Sequence, residues 1–153
     1  MFEAAFRTWM QSRPAVTALI GDGSDNAHPF RWYGVIVPQQ TAYPAVTFET
    51  TSEDRDDALD QSGPESHVGR TMELRCYSRI YDETKALWDA IRKELRVIQK
   101  EIGSGRIFKI QNIRILELKI TGASDEFEPP DDAGKQGYHY VLVNLQIDHE
   151  EGD

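Results

Sequence analysis

The sequence is poor in the residues that hold disulfide-bonded, thiolate-zinc or membrane-spanning proteins together. Its 153 residues include one cysteine, Cys76, which excludes an internal disulfide and leaves too few thiols for a zinc site built from thiolates. No apolar run approaches the roughly 20 residues that a membrane-spanning helix needs. The N-terminal residues include an acid, Glu3, and lack the uninterrupted apolar segment of a signal peptide. We therefore expect a protein that folds in a cytoplasm and has no membrane partner.

Basic residues are also scarce. The chain has 17 Lys and Arg against 26 Asp and Glu, a formal net charge of −9 at pH 7. Such a surface repels nucleic-acid backbones and offers no basic stripe, so specific nucleic-acid binding is not expected. The hydrophobic fraction of 39% and the charged fraction of 28% are those of an ordinary globular protein. Because the length suits one domain, we predict a single domain over residues 1–153.

Apolar spacing predicts three helices. Phe2–Gln11 places its apolar residues at three- and four-residue intervals, and residues 15–20 stand between a proline and a glycine. A long helix over residues 83–102 follows Asp82, which we predict as its N-cap. The apolar stripe of this helix consists of Leu87, Ile91, Leu95, Ile98 and Ile102.

Alternating apolar and β-branched residues predict five strands. They are residues 32–37, 45–51, 67–79, 107–121 and 138–148, with a bulge near Asn112 in the fourth. The order of elements predicts an α+β fold, in which a mainly antiparallel sheet is packed by one long helix and the short N-terminal helices. The residues that we expect in the core are Leu74, Leu87, Ile91, Leu95, Leu118, Val143 and Leu145.

Two polar segments interrupt this pattern. Residues 52–66 are rich in acids and turn formers, and only Ala58 and Leu59 among them are apolar. We predict a flexible acidic arm that becomes ordered on a partner, with simple disorder as the alternative. A second polar loop is predicted at residues 122–137. The candidate interaction residues of the arm are Glu53, Asp54, Arg55, Asp56, Asp57 and Asp60.

No motif predicts a catalytic, metal or cofactor site. Residues 22–26 resemble the start of a calcium loop, but such a loop needs Gly at its sixth position and Glu at its twelfth, where this chain has Ala27 and Tyr33. A turn is the better interpretation of this segment. Cys76 is expected to face the core as a small apolar residue, because no basic neighbour that would activate its thiol can be assigned.

The histidines are interpreted as structural residues. His28, His67, His139 and His149 include no pair at helical metal-ligand spacing. His67 and His139 fall on different predicted strands, and a meeting between them across the sheet stays open at this point. We expect no metal, no cofactor and no enzymatic activity.

The order of short motifs resembles a known family of phage proteins. A first helix runs into residues 13–21 (RPAVTALIG), and residues 37–39 (VPQ) and 43–48 (YPAVTF) follow. A variable arm leads to the strand at residues 70–77, after which residues 81–87 (YDETKAL) begin a helix. This arrangement resembles the siphophage tail-completion, or tail-terminator, proteins, a family of minor tail proteins formerly described as a domain of unknown function. The longer acidic arm and the segment at about residues 125–136 depart from the plainer form of that family.

The resemblance implies a protein of virion assembly. It implies a hexameric ring at the head-proximal end of the tail, which stops polymerisation of the tail tube and forms the head-tail joining interface. The implied partners are other copies of the chain, the tail tube protein and the head-completion or connector protein, and DNA passes through the ring without being bound specifically. Two alternatives stay open: a head-side neck protein or tail tube subunit of the same virion, and a small bacterial ligand-binding or regulatory module.

Overall fold

The computed structural model describes residues 2–38, 41–56, 66–130 and 137–151. These residues form three helices and one six-stranded sheet. The helices are α1 (Phe2–Gln11), α2 (Pro14–Ile20) and α3 (Tyr81–Gly103). The strands are β1 (Trp32–Tyr33), β2 (Ala45–Asp56), β3 (Ser66–Ser78), β4 (Phe108–Ile110), β5 (Ile113–Glu128) and β6 (Tyr138–Glu151).

The sheet has the strand order β1-β2-β3-β6-β5-β4. β1 runs parallel to β2, and the pairs β2–β3, β3–β6, β6–β5 and β5–β4 are antiparallel. The α+β class is as predicted, but the sheet is mixed where the sequence predicted a mainly antiparallel one. The difference arises because β1 pairs with β2 in the parallel direction.

The core lies between the helices and one face of the sheet. All seven residues predicted to be in the core are buried, and the stripe of α3 is confirmed except that Ile102 is only partly buried. α1 adds an aromatic cluster to this layer, in which the rings of Phe6 and Phe48 stack 4.7 Å apart. α2 ends at Gly21, whose φ of +89° and closeness to the carbonyl oxygen of Pro29 leave no room for a side chain.

Three predicted boundaries are wrong. α3 begins one residue before Asp82, so Asp82 is an exposed residue of the first turn, where a carboxylate favours the helix dipole, and the N-cap is Ile80. The predicted strand at 32–37 ends at Tyr33. The predicted strand at 107–121 is a hairpin of β4 and β5, because Gln111 adopts a positive φ of 54° and turns the chain where a bulge was expected.

Both polar segments contain more strand than predicted. Residues 52–56 of the predicted arm belong to β2, where they pair with β3. Residues 122–128 of the predicted loop belong to β5, where they pair with β6. Backbone hydrogen bonds to a central strand therefore override a polar composition in both places. The remainder of the predicted arm, residues 57–65, lies outside the described residues, as do residues 131–136 of the predicted loop.

Candidate interaction surfaces

The helices cover one face of the sheet, and among the described residues no helix covers the other. α1 and α3 contact the sheet and α2 contacts both of them, so all three lie in one layer. Side chains of β3 alternate between the two faces: Leu74 is completely buried under the helices, whereas Glu73 and Arg75 point to the open side and are partly exposed. The open side is therefore a second surface of the molecule, built by the alternate residues of the long strands.

Carboxylates outnumber cations on this open side. The strand register places Asp54, Gly69, Asp148 and Glu117 in one row across four strands. A Cβ atom at Gly69 would lie 3.1 Å from the Asp148 carboxylate, so the missing side chain lets that carboxylate lie close to β3. By register, the acids of this surface, which we name the acidic sheet face, are Glu49, Asp54, Glu73, Glu117, Glu126, Glu128, Asp148 and Glu150, and its cations are Arg75, Lys109, Arg114 and Lys119.

The cations of the acidic sheet face are engaged locally. Arg75 lies 2.7 Å from Glu73 and 3.5 Å from Glu49, and so bridges two acids that face each other across β2 and β3. Lys119 lies 3.2 Å from Glu117. Such partly exposed pairs contribute little to stability. Asp54 and Asp148 lie in the same row, on either side of Gly69.

A buried polar cluster joins α1 to the far end of β2, β3 and β6. Arg70 is 5% exposed, and its Nε donates a 2.8 Å hydrogen bond to Nε2 of His149, which is completely buried. The other side of the guanidinium lies 3.4 Å from Glu3 and 3.4 Å from Glu53. Since arginine always donates, His149 accepts through Nε2 and carries its proton on Nδ1. This cluster therefore holds α1 against the neighbouring ends of β2, β3 and β6.

The predicted interaction residues divide into three groups. Glu53 turns toward the helix layer, where it contacts Arg70 and Arg55, so it has a structural partner that the sequence did not predict. Asp54 lies on the acidic sheet face, and Arg55 is exposed. Asp56 is the last described residue of β2, and Asp57 and Asp60 lie outside the described residues. Their role in binding stays a prediction.

A groove of about 400 Å³ lies at the opposite end of the sheet, beside the start of α3. Its lining includes Tyr43, Arg79, Ile80 and Glu83. The guanidinium of Arg79 lies 5.8 Å from the Tyr43 ring centre and 5.1 Å from that of Tyr138, and these two rings are 5.2 Å apart. Burial and the hydrogen bond with Tyr138 raise the pKa of Tyr43 to about 12, so its hydroxyl stays neutral at physiological pH.

The cysteine and the two histidines, His67 and His139, that were weighed as catalytic or metal-binding residues lie in the sheet. Cys76 is completely buried, as predicted, and burial raises the pKa of its thiol. His67 pairs with Glu150 and His139 with Ser78, at opposite ends of the β3–β6 pair, so the two histidines do not meet. In the part of the chain that the structure describes, no three His, Cys, Asp or Glu residues are grouped to hold a metal ion.

The segment at residues 22–26 is a turn stabilised by its own acids. Asp22 accepts a hydrogen bond from the Ser24 amide, and Asp25 accepts from the amides of Ala27 and His28. The bond to the Ser24 amide lowers the pKa of Asp22, and the side-chain bond with His28 lowers that of Asp25. Both carboxylates thus serve the loop backbone.

Comparisons with known proteins find a similar structure but no match to a family model or to a curated protein. No family model matches the chain, and no curated protein matches it. A chain in the solved virion of a native gene transfer agent particle is similar in structure, with 15% sequence identity, a TM-score of 0.49 and 97% of each chain covered. No helix within the described ranges is long and apolar enough to cross a membrane. The functional argument therefore depends on the surfaces of this chain and on the order of its motifs.

Proposed function

We propose that this chain is a structural protein of a phage-type virion, which forms a six-membered ring that caps the tail tube and joins the tail to the head. It acts by binding alone, without a catalytic step, metal or cofactor. Two independent features support the proposal. One is the order of motifs shared with tail-terminator proteins, and the other is the amount of sheet surface that the domain leaves uncovered.

The uncovered sheet is the structural observation that carries the proposal. β1 pairs with β2 only through Trp32 and Tyr33, and β4 pairs with β5 only up to Ile115. Among the described residues, no strand lies beside residues 49–56 or 117–128 on their outer sides. Open strand edges are where a second chain adds by backbone hydrogen bonds, and a domain that works alone usually protects them. Together with the acidic sheet face, these edges give the chain surfaces for several neighbours.

A ring also fits the charge of the chain. Six copies of a chain with a net charge of −9 form a strongly acidic collar. Such a collar does not hold a nucleic acid that moves through it, because like charges repel. The proposed partners are other copies of the chain, the tail tube protein and the head-completion or connector protein, and the proposed location is the head-proximal end of the tail.

Virions made without this chain test the proposal. A stop codon early in its gene should give tails of uncontrolled length, or tails of normal length that fail to join heads, in electron micrographs. Supplying the wild-type chain in trans should restore infectious particles, whereas supplying the same gene with the stop codon should not. Empty heads without any tail tube would favour the tube-subunit alternative, and intact infectious particles would refute a role in the virion.

A further inference from the structure

The exposed side of α3 differs in charge from the rest of the molecule. Lys93, Arg96 and Lys100 are exposed and Arg92 is partly exposed, and their spacing of three to four residues places them along one side of the helix. Asp89 pairs with Arg92 at 2.8 Å and with Lys93 at 3.0 Å. Within the described part of the chain, neither Arg96 nor Lys100 forms an ion pair. We name these four cations, with Asp89, the basic helix surface.

An apolar residue lies within the basic helix surface. Val97 is 39% exposed, whereas Leu87, Ile91, Leu95 and Ile98 of the same helix are completely buried. Protein interfaces combine an apolar centre with a charged rim, and exposed apolar side chains flanked by cations have that composition. The basic helix surface therefore has the character of a contact surface.

The acidic sheet face lies on the opposite side of the molecule. α3 packs on the sheet through Leu87, Ile91 and Leu95, so its exposed side points away from the sheet. The acidic sheet face points away from the helices. The basic helix surface and the acidic sheet face thus lie on opposite sides of the domain and differ in charge, in a chain whose net charge of −9 gives no reason for a basic surface.

The acidic sheet face is long enough to take the whole of α3, of which the basic helix surface covers residues 89–100. α3 has 23 residues, and at about 1.5 Å per residue it is about 34 Å long. β3 has 13 residues, and at about 3.3 Å per residue it is about 43 Å long. Four strands about 4.8 Å apart and about 34 Å long present on the order of 600 Å², close to the roughly 800 Å² per partner of a standard interface. One helix fits along this face.

We propose that the basic helix surface of one copy docks on the acidic sheet face of a second copy. This inference rests on the proposed ring and names its interface. The two surfaces lie on opposite sides of one chain. A pair of copies therefore leaves the acidic sheet face of one copy and the basic helix surface of the other free to bind further copies. Such a head-to-tail contact is heterologous, and it gives a closed ring when the rotation between successive copies closes. Electrostatic complementarity would orient the copies, and Val97 would lie inside the contact.

The charge pattern favours a second copy over a nucleic acid. The four cations share their helix side with Asp89, which neutralises part of their charge. A nucleic acid approaching this side would also be repelled by the excess of acids on the whole chain. The acidic sheet face, by contrast, complements the basic helix surface in charge.

Two charge-reversed variants test the contact. The helix variant carries Arg96→Glu and Lys100→Glu, and the sheet variant carries Asp54→Lys and Asp148→Lys. We expect each variant alone to self-associate at least about tenfold more weakly than the wild type, because each brings like charges together. The sheet variant separates loss of the contact from the effect of net charge. Its two substitutions make the net charge less negative than that of the wild type. If net charge alone governed association, it would associate more strongly.

An equimolar mixture of the two variants should assemble. In the mixture, the altered helix of the helix variant can meet the altered sheet face of the sheet variant, where opposite charges again face each other. The unchanged helix of the sheet variant can likewise meet the unchanged sheet face of the helix variant. Native mass spectrometry should then show complexes in which the two variants alternate in equal numbers. As a control, Arg79→Glu with Arg106→Glu changes the net charge as the helix variant does but lies outside both surfaces, so it should associate like the wild type.

The unfolding midpoint of each variant establishes that it folds. If the helix variant is destabilised, the milder pair Arg96→Gln and Lys100→Gln replaces it, with Arg79→Gln and Arg106→Gln as its control. The inference is overturned if both variants associate like the wild type, if their mixture does not assemble, or if the wild type stays monomeric at about 1 mM, a concentration at which even weak contacts form. It is also overturned if the helix variant loses binding to duplex DNA that the wild type shows. Rings that persist in both variants would refute the interface and leave the proposed function standing.

Discussion

Replacement of Ile91 by alanine tests the packing of α3 on the sheet. Ile91 is completely buried near the middle of α3. The substitution removes three carbon atoms, each worth about 0.8 kcal/mol of transfer free energy, or about 2.4 kcal/mol together. A residual cavity on the order of 50 Å³ would add about 1.2 kcal/mol, at about 24 cal/mol per Å³. We therefore expect the free energy of unfolding to fall by about 3.5 kcal/mol.

Thermal and urea unfolding followed by circular dichroism measure this loss. For a chain of this length, a loss of about 3.5 kcal/mol lowers the melting temperature by roughly 7–14 °C. Ile91→Val keeps the branched side chain and should cost only about 1 kcal/mol. Lys93→Ala changes an exposed residue on the other side of α3 and should change stability by less than about 0.5 kcal/mol. An unchanged midpoint for Ile91→Ala would refute the packing of α3 on the sheet.

Three other predictions concern an acid, a thiol and the hairpin connection. Burial opposes ionisation of Glu3, but the Thr50 hydrogen bond and the Arg70 charge outweigh it and lower its pKa below the ordinary 4.5. Glu3→Gln should therefore be less stable than the wild type at pH 7, and urea unfolding at pH 3 should show a smaller difference, because the benefit of the carboxylate is lost as pH falls through its lowered pKa. A difference that grows in acid would contradict this assignment. Cys76 should resist a thiol reagent at pH 8 until the chain is unfolded, because its thiol is buried and its pKa is raised; labelling of the native protein within minutes would contradict its burial. Replacement of residues 57–65 by an Asn-Gly turn should leave the melting temperature unchanged and impair assembly with virion partners; a variant that fails to fold would show that the segment belongs to the domain.

The helices were predictable because their signals are local. The apolar spacing of α1, the proline that begins α2 and the glycine that follows it all act within a few residues of the helix they define. The stripe of α3 repeats often enough to fix both the length of the helix and its buried side. Core residues on α3 and on the central strands could therefore be named from the sequence.

The strands were less predictable because their bounds depend on distant partners. The acidic end of β2 and the polar end of β5 are strands because β3 and β6 lie beside them and complete their backbone hydrogen bonds. The amino-acid composition of residues 52–56 and 122–128 does not indicate that these segments form strands. The hairpin of β4 and β5 turns at Gln111 without a glycine, so the sequence shows one apolar run where the structure has two strands.

The surfaces depend on tertiary structure most of all. Arg70 stands 79 residues from His149 along the chain and meets it only because β3 pairs with β6. The one signal available was that Arg70 occupies an inward position of an otherwise apolar pattern. The acidic sheet face likewise needs the register of four strands, although the alternation of β3 already shows Glu73 and Arg75 on a common side.

The number and position of copies in purified tails test the central claim most directly. Tails would be isolated from particles in which this chain carries a C-terminal affinity tag, and the copies per tail would be counted by quantitative mass spectrometry. Cryo-electron microscopy of the same tails would locate the tag. The account predicts six copies in one closed ring at the head-proximal end. Copies that repeat along the whole tube, or tails that contain none, would contradict it.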